Sequence, residues 1–366
     1  MEIGSVLELE QWELYEVTNK EKAFWLPFMK NSADYQTVFY QSGRNAIEAL
    51  MCFLQKEKGI KYLLLPDYMC DTVKDAGTRS GIEIKTYKID VEYNFSKDEI
   101  EEKIDHETCF FVAHFFGKKM KEELCEYIWK KKESGIVIIE DVTLSLFSED
   151  DERGVGFGNY ILGSIRKWLP VPDGGFLSSK SNPLPEQLKS TCVSKYVDFY
   201  MMVQTMKKEY ILGDCKDEAL KNIYMKYYGL SIDELFSDYD LYPMSEWTAN
   251  YLQNYNIKEV VEKRKKNYDY LYAKLSNIEE IQIKIHRTEG YLPFGMILLT
   301  EQRDELLQYL IKHNIYCNVH WRLQPSTENQ TVEYLAKHSI TIPCDQRYGE
   351  LEMDYIVEVL ESWYKK

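Results

Sequence analysis

No apolar run in this 366-residue sequence approaches the roughly 18 to 20 residues that a helix needs to cross a bilayer. The opening Met1-Glu2-Ile3-Gly4 lacks a basic stretch followed by an apolar signal core, so the chain is expected to be cytoplasmic. CxxC spacing is missing too: the eight cysteines, at 52, 70, 109, 125, 192, 215, 317 and 344, are scattered. That argues against a disulfide framework or a zinc site and leaves buried free thiols, such as Cys52 in an apolar helical segment, as the expected state. The six histidines show no HxxxH spacing, and no protein-built metal site is expected. Positive charge is scarce. With Lys+Arg at 45 against Asp+Glu at 60, the net charge of -15 disfavours a general nucleic-acid-binding face. The short runs Lys130-Lys131-Lys132 and Lys263-Arg264-Lys265-Lys266 fall in helical patterns and read as solvated faces. There is no internal repeat and no low-complexity linker.

Hydrophobic residues make up 45% of the chain, enough to build cores for a large α/β unit and a smaller one. Strand-like runs recur at Tyr62 to Leu65, Ile84 to Ile89, Cys109 to Ala113 and Ile136 to Ile139, with helical segments such as Met120 to Glu133 between them. This alternation predicts a mainly parallel sheet covered on both faces. Two more short strands, near Tyr160 to Leu162 and Gly175 to Leu177, flank a loop containing Lys167. From about Cys192 to Leu275 the pattern is helical, and Ile257 to Leu275 reads as one long helix. Strands near Ile281 to Ile285 and Gly295 to Leu299, and helices near Gln302 to His313 and Met353 to Trp363, predict a small α/β lobe. The expected division is a large domain over 1–255, including an N-terminal segment 1–38, and a small domain over 256–366.

The run Gly135-Ile136-Val137-Ile138-Ile139-Glu140-Asp141 ends a buried strand on two carboxylates, and ligands of open α/β sheets gather at the carboxyl ends of strands. Gly163-Ser164-Ile165-Arg166-Lys167, closing on Gly174-Gly175, places a lysine beside a serine and an arginine. A lysine able to condense with an aldehyde, with an acid for a pyridinium nitrogen, is the minimal equipment of pyridoxal-phosphate (PLP) chemistry. Ser42-Gly43-Arg44-Asn45-Ala46-Ile47 follows a short strand and opens an amphipathic helix. Its amides and the Arg44 guanidinium form a candidate phosphate cradle. Ser164 and Arg166 are placed to approach the same phosphate.

Other positions admit two readings. Tyr68, in Leu65-Pro66-Asp67-Tyr68, could stack on a ring or pack in the core. His114, directly after the third strand, is either a site residue or structural. Val319-His320-Trp321-Arg322 offers a cation and an aromatic near a substrate, or an amphipathic strand end. Gly154-Val155-Gly156-Phe157-Gly158-Asn159 lacks the dinucleotide fingerprint and reads as a flexible turn.

Together these segments, with Val319-His320-Trp321 and Ile342-Pro343-Cys344, resemble the DegT/DnrJ/StrS-like family of PLP-dependent sugar aminotransferases, from about Phe39 onward. The resemblance implies a fold-type I aminotransferase architecture. In it a large, mainly parallel seven-stranded α/β domain is joined to a small C-terminal one, in a homodimer with sites at the subunit interface. It implies that Lys167 holds PLP and moves protons, that Asp141 keeps the pyridine nitrogen protonated, and that Gly43, Arg44 and Ser164 bind the phosphate. It also implies glutamate as the usual amino donor and a nucleotide-linked keto sugar as the acceptor. The substrate candidates, read from their places in the chain, are His114, His320, Trp321 and Arg347. Three positions depart from the family pattern. Leu144 stands where a polar partner of the phenolic oxygen is usual, Leu241 replaces an asparagine that reaches the neighbouring subunit, and the ring-stacking aromatic aligns with Cys70. Arg347 and the tyrosine-rich 223–242 segment are then candidates for cross-subunit contact. Two alternatives stand beside the aminotransferase: a PLP-dependent dehydratase of the same fold, disfavoured because the family's sugar dehydratases carry histidine at the Lys167 position, and a PLP-fold binding protein without turnover.

Overall fold

Aliphatic runs form strands and amphipathic runs form helices along most of the chain. The computed structural model describes residues 2–9, 26, 29, 34–149, 155–189, 193–213, 217–321, 323 and 329–365. Gly154, Cys192, Cys215 and Arg322, named above, lie outside the described residues. The elements begin with β1 (Ile3–Gly4), β2 (Gln36–Tyr40), α1 (Gly43–Lys58), β3 (Tyr62–Pro66), α2 (Asp71–Arg79), β4 (Glu83–Tyr87), α3 (Lys97–Lys103), β5 (Thr108–Ala113) and α4 (Glu122–Glu133). Next come β6 (Val137–Asp141), β7 (Tyr160–Ser164), β8 (Gly175–Ser179), α5 (Lys195–Leu212), α6 (Glu218–Ser237), α7 (Glu246–Asn254) and α8 (Ile257–Leu275). The remainder is β9 (Gln282–Ile283), β10 (Met296–Leu299), α9 (Arg303–Lys312), β11 (Ile315–Tyr316), α10 (Gln330–His338), β12 (Ser339–Ile342) and α11 (Glu350–Tyr364).

A seven-stranded sheet runs in the order β2-β8-β7-β6-β5-β3-β4. The strands from β7 to β4 are parallel, whereas β8 is antiparallel to both β7 and β2. Of the parallel strands, β3, β5, β6 and β7 are buried almost throughout, while the edge strand β4 is largely exposed or half-buried; β5 and β6 present Phe110, Phe111, Ile138 and Ile139 to the core, and α1 packs Ile47, Leu50, Met51 and Leu54 into the same cluster. A second core forms where α8, α9 and α11 cover the antiparallel sheet β12-β10-β9. The short β1 pairs in parallel with β11. No helix among the described residues is long and apolar enough to cross a membrane.

Register brings the chemistry-bearing strand ends together. Tyr40 and Ser164 both pair with Gly175, and Ala113 pairs with Asp141. The residues that follow β2, β7, β6 and β5 therefore open onto one edge. Gly175 is required by this closeness: a Cβ there would stand 2.1 Å from the Ser42 carbonyl carbon and 2.4 Å from the Gly43 amide nitrogen, backbone atoms that cannot step aside. Gly175→Ala is expected to lower stability by about 1–3 kcal/mol, the usual cost of overpacking. A urea unfolding midpoint equal to wild type would contradict this.

Several sequence expectations change. Cys52 is exposed, because it falls on the outer side of α1. Arg264, read as part of a solvated run, is buried; its guanidinium lies 4.5 Å from the Trp168 ring centroid and its Nε donates to Gln346 Oε1 at 2.7 Å. The glycine segment read as a flexible turn is also engaged, since the Gly156 and Gly158 amides donate to the buried Glu140 carboxylate.

Candidate active site

Ser42 is in extended conformation and caps α1, its Oγ accepting from the Asn45 amide at 3.2 Å. The Gly43 and Arg44 amides, in the first turn, have no intrahelical acceptor, and the helix dipole adds positive potential there. Arg44 donates through Nη2 to the Asp238 carbonyl at 3.1 Å, while its Nε is buried without a partner. Arg166 enters from the 3₁₀ turn Ile165–Lys167 that links β7 to β8. Its guanidinium lies 5.7 Å and 5.9 Å from the ring centroids of Tyr196 and Tyr200 on α5, and its Nε is likewise buried and unpartnered. Ser42, Gly43, Arg44, Ser164 and Arg166 all line one cavity of about 190 Å³. Two guanidinium groups with unsatisfied donors at a helix start suit a phosphate dianion.

Asp141 and Lys167 line the same cavity. The Asp141 Oδ1 accepts from the Thr143 amide at 2.8 Å. Burial pushes its pKa above the usual carboxylate value, against the Thr143 hydrogen bonds and the nearby Lys167 and His114. Burial likewise pushes the Lys167 pKa below the usual ammonium value, against Cys70 and Asp141. Both shifts favour neutral forms. The neutral amine is the nucleophilic form of a lysine, and a carboxyl group ionises when a cationic partner is set against it.

Met69, Cys70, Thr72 and Val73 form one wall at the start of α2, with Cys70 Sγ 3.1 Å from Thr72 Oγ1. His114, Leu144 and Trp321 also line the cavity, as do Leu235 and Phe236 at the end of α6. Three predicted residues stand apart from it. Tyr68 is fully buried, donates its hydroxyl to the His320 carbonyl and packs against Tyr93, Phe115 and Trp321, so it takes the core role rather than the stacking one. His320 places Nδ1 3.0 Å from Thr341 Oγ1; burial, with Lys167 nearby, pushes its pKa down to about 3 and keeps it neutral. Arg347 spends its donors on Asp345 at 2.8 Å and 2.9 Å, on Glu8 at 2.9 Å and on the Val6 carbonyl at 3.0 Å. Despite burial, Arg347 holds the Asp345 carboxyl down to about 2. It anchors the N-terminal segment instead of offering a free charge. Together with Gly4, Ser5 and Asp345 it lines a second cavity of about 60 Å³ on which Lys167 also borders.

No protein-family model matches the sequence. No curated protein matches it either. Solved structures do. Spr1654 from Streptococcus pneumoniae, in its PLP form, superimposes with a TM-score of 0.63 at 17% identity, over 89% of this chain and 86% of that one. The sugar aminotransferase CalS13 from Micromonospora echinospora gives 0.61 at 15% identity, over 89% and 87%. A DegT DnrJ EryC1 StrS aminotransferase from Brucella abortus gives 0.59 at 15% identity, over 90% and 86%. The chain has the fold of these aminotransferases. On that aminotransferase fold, the unpartnered Nε atoms of Arg44 and Arg166, the open amides of α1 and the Asp141–Lys167 pair fit PLP. Sequence reasoning missed Thr143, Leu235, Phe236 and the tyrosines around Arg166. Thr143 follows Asp141 by two residues, a turn spacing that could have flagged it, whereas the apolar pair on α6 carries no local signal.

Proposed function

We propose that this protein is a PLP-dependent aminotransferase that moves an amino group from glutamate to a keto sugar or a related carbonyl compound. The observation carrying the reading is that Asp141, Lys167 and the Ser42-Gly43-Arg44 helix start share one cavity. PLP, when bound, supplies an electron sink that stabilises negative charge at the carbon bearing the amino group. The chain supplies the rest. Arg44, Arg166, Ser164 and the α1 amides bind the phosphate, and the Asp141 carboxylate holds a proton on the ring nitrogen. Lys167 Nζ takes a proton from one carbon and returns it to another, and its lowered pKa suits that task. The apolar walls Met69, Val73, Leu144 and Trp321 keep water from the reacting carbon.

The same reading takes the unit as a cytoplasmic homodimer built of a cofactor-binding domain over 1–255 and a small domain over 256–366. Support for a second copy comes from α5 and α6, which expose Met202, Ile223, Met225 and Leu230 together with Phe236, the last of which also lines the cavity. The test is spectroscopic. Purified protein mixed with PLP should develop a visible band that glutamate bleaches with release of 2-oxoglutarate; no band in excess PLP would refute the proposal. Arg44→Ala should weaken PLP binding about 10- to 100-fold while leaving the unfolding midpoint near wild type, because a charge-assisted contact contributes about 1.5–3 kcal/mol. Unchanged affinity in equilibrium dialysis would remove Arg44 from the cradle.

A further inference from the structure

Glu140, the residue before Asp141, is fully buried on β6. Its Oε1 accepts from the Gly156 amide at 2.7 Å and its Oε2 from the Gly158 amide at 2.8 Å. Glycine is needed at both positions: Gly156 has φ +89°, and a Cβ on Gly158 would come within 2.9 Å of the Glu140 Cβ. The same Oε1 lies 2.6 Å from His114 Nε2. An acid with two amide donors fixed on it is held as an acceptor, so Nε2 is the nitrogen that donates to it. The other nitrogen, His114 Nδ1, is buried and has no hydrogen-bond partner. A buried polar atom of this kind in the wall of a cavity calls for a ligand atom to satisfy it.

Sheet order says which atom. The phosphate cradle stands on the β2, β8 and β7 side of Asp141, whereas His114 follows β5 on the opposite side, its amide donating to the Asp141 carbonyl at 3.0 Å. On the PLP ring the phosphate arm and the phenolic oxygen flank the aldehyde-bearing carbon from opposite sides. A ring whose phosphate sits in the cradle, whose nitrogen meets Asp141 and whose aldehyde faces Lys167 turns its phenolic oxygen toward β5. Leu144, also in the wall, has no polar atom to offer there.

We propose that His114, held by Glu140 and the Gly156 and Gly158 amides, is the hydrogen-bond partner of the phenolic oxygen of PLP. This rests on the cofactor reading above and moves His114 from the substrate to the cofactor. Nε2 donates to Glu140, and Nδ1, bare in the neutral ring, takes up the proton that the phenol gives up and donates it back to the phenolate.

The test compares PLP with 3-deoxypyridoxal 5'-phosphate, which lacks that oxygen, on the full chain. Wild type should bind PLP about tenfold or more tightly than the deoxy analogue, and in His114→Phe the ratio should fall to within about threefold. The visible band of bound PLP should titrate with a midpoint about one pH unit or more higher in His114→Phe, since a donor to the phenolate stabilises its anion. Glu140→Gln, which keeps the imidazole, should move the midpoint the same way and serves if His114→Phe does not fold. Wild type that binds both compounds equally, or variants with unchanged ratio and midpoint, would overturn this proposal alone. Wild type that binds neither would overturn the cofactor reading and this proposal with it.

Discussion

Lys167→Ala should reduce transamination on the order of 10⁴-fold or more, because the variant loses both the nucleophilic amine and the base that moves the proton. Fold and phosphate binding should survive, since Lys167 Nζ makes no hydrogen bond or ion pair that ties elements together among the described residues, whereas Arg44, Arg166 and Ser164 remain around the cavity. Borohydride treatment of the wild-type protein with PLP should fix a pyridoxyl group on the peptide containing Lys167. Labelling of another lysine instead, or turnover by Lys167→Ala within tenfold of wild type, would remove this residue from the chemistry. The environment makes the expectation specific: burial disfavours the ammonium form here, while a typical surface lysine carries its proton at neutral pH.

Asp141→Asn should be the next most damaging change. The amide keeps the shape of the carboxylate and can retain a contact with Thr143, so the fold and part of the PLP affinity should persist. It cannot hold a proton on the ring nitrogen by charge. The loss should amount to a few kcal/mol in the barrier, or roughly a hundredfold or more in rate, the scale seen when a preorganised electrostatic partner is removed. The deficit should fall mainly on kcat, with a smaller effect on PLP affinity. Near-normal turnover in single-turnover kinetics would show that the carboxylate does not serve the ring.

What could be read in the sequence follows from how locally each feature is encoded. The strand ending at Asp141 and the loop carrying Lys167 are contiguous motifs, and the long helix over Ile257–Leu275 declares itself by its periodicity. The role of Arg347 is different. Asp345, two residues before it, is a partner that the sequence displays, but the partner that makes it an anchor, Glu8, lies 339 residues away in the chain. Tyr68 is similar: whether a tyrosine after a strand stacks on a ligand or fills the core depends on Trp321 and the His320 carbonyl, which only the fold brings to it. The glycine segment after Asp141 was readable as a break in regular structure, but its use required knowing that Glu140 is buried opposite it.

The N-terminal strand carries a consequence for the making of the protein. Gly4 donates to the Tyr348 hydroxyl across 344 residues, and Lys207 and Arg347 grip the same segment through Glu8. Synthesis proceeds at about 5–20 residues per second, so this segment waits on the order of tens of seconds for the residues that receive it. The wall beside Lys167 is thus assembled late, after the large sheet has had time to form on the ribosome. A nascent chain stalled before Asp345 should hold its parallel sheet and keep the Lys207 and Gln204 contacts to residues 4–8, yet expose that segment to protease more than the finished chain does, because Arg347 and Tyr348 are still missing.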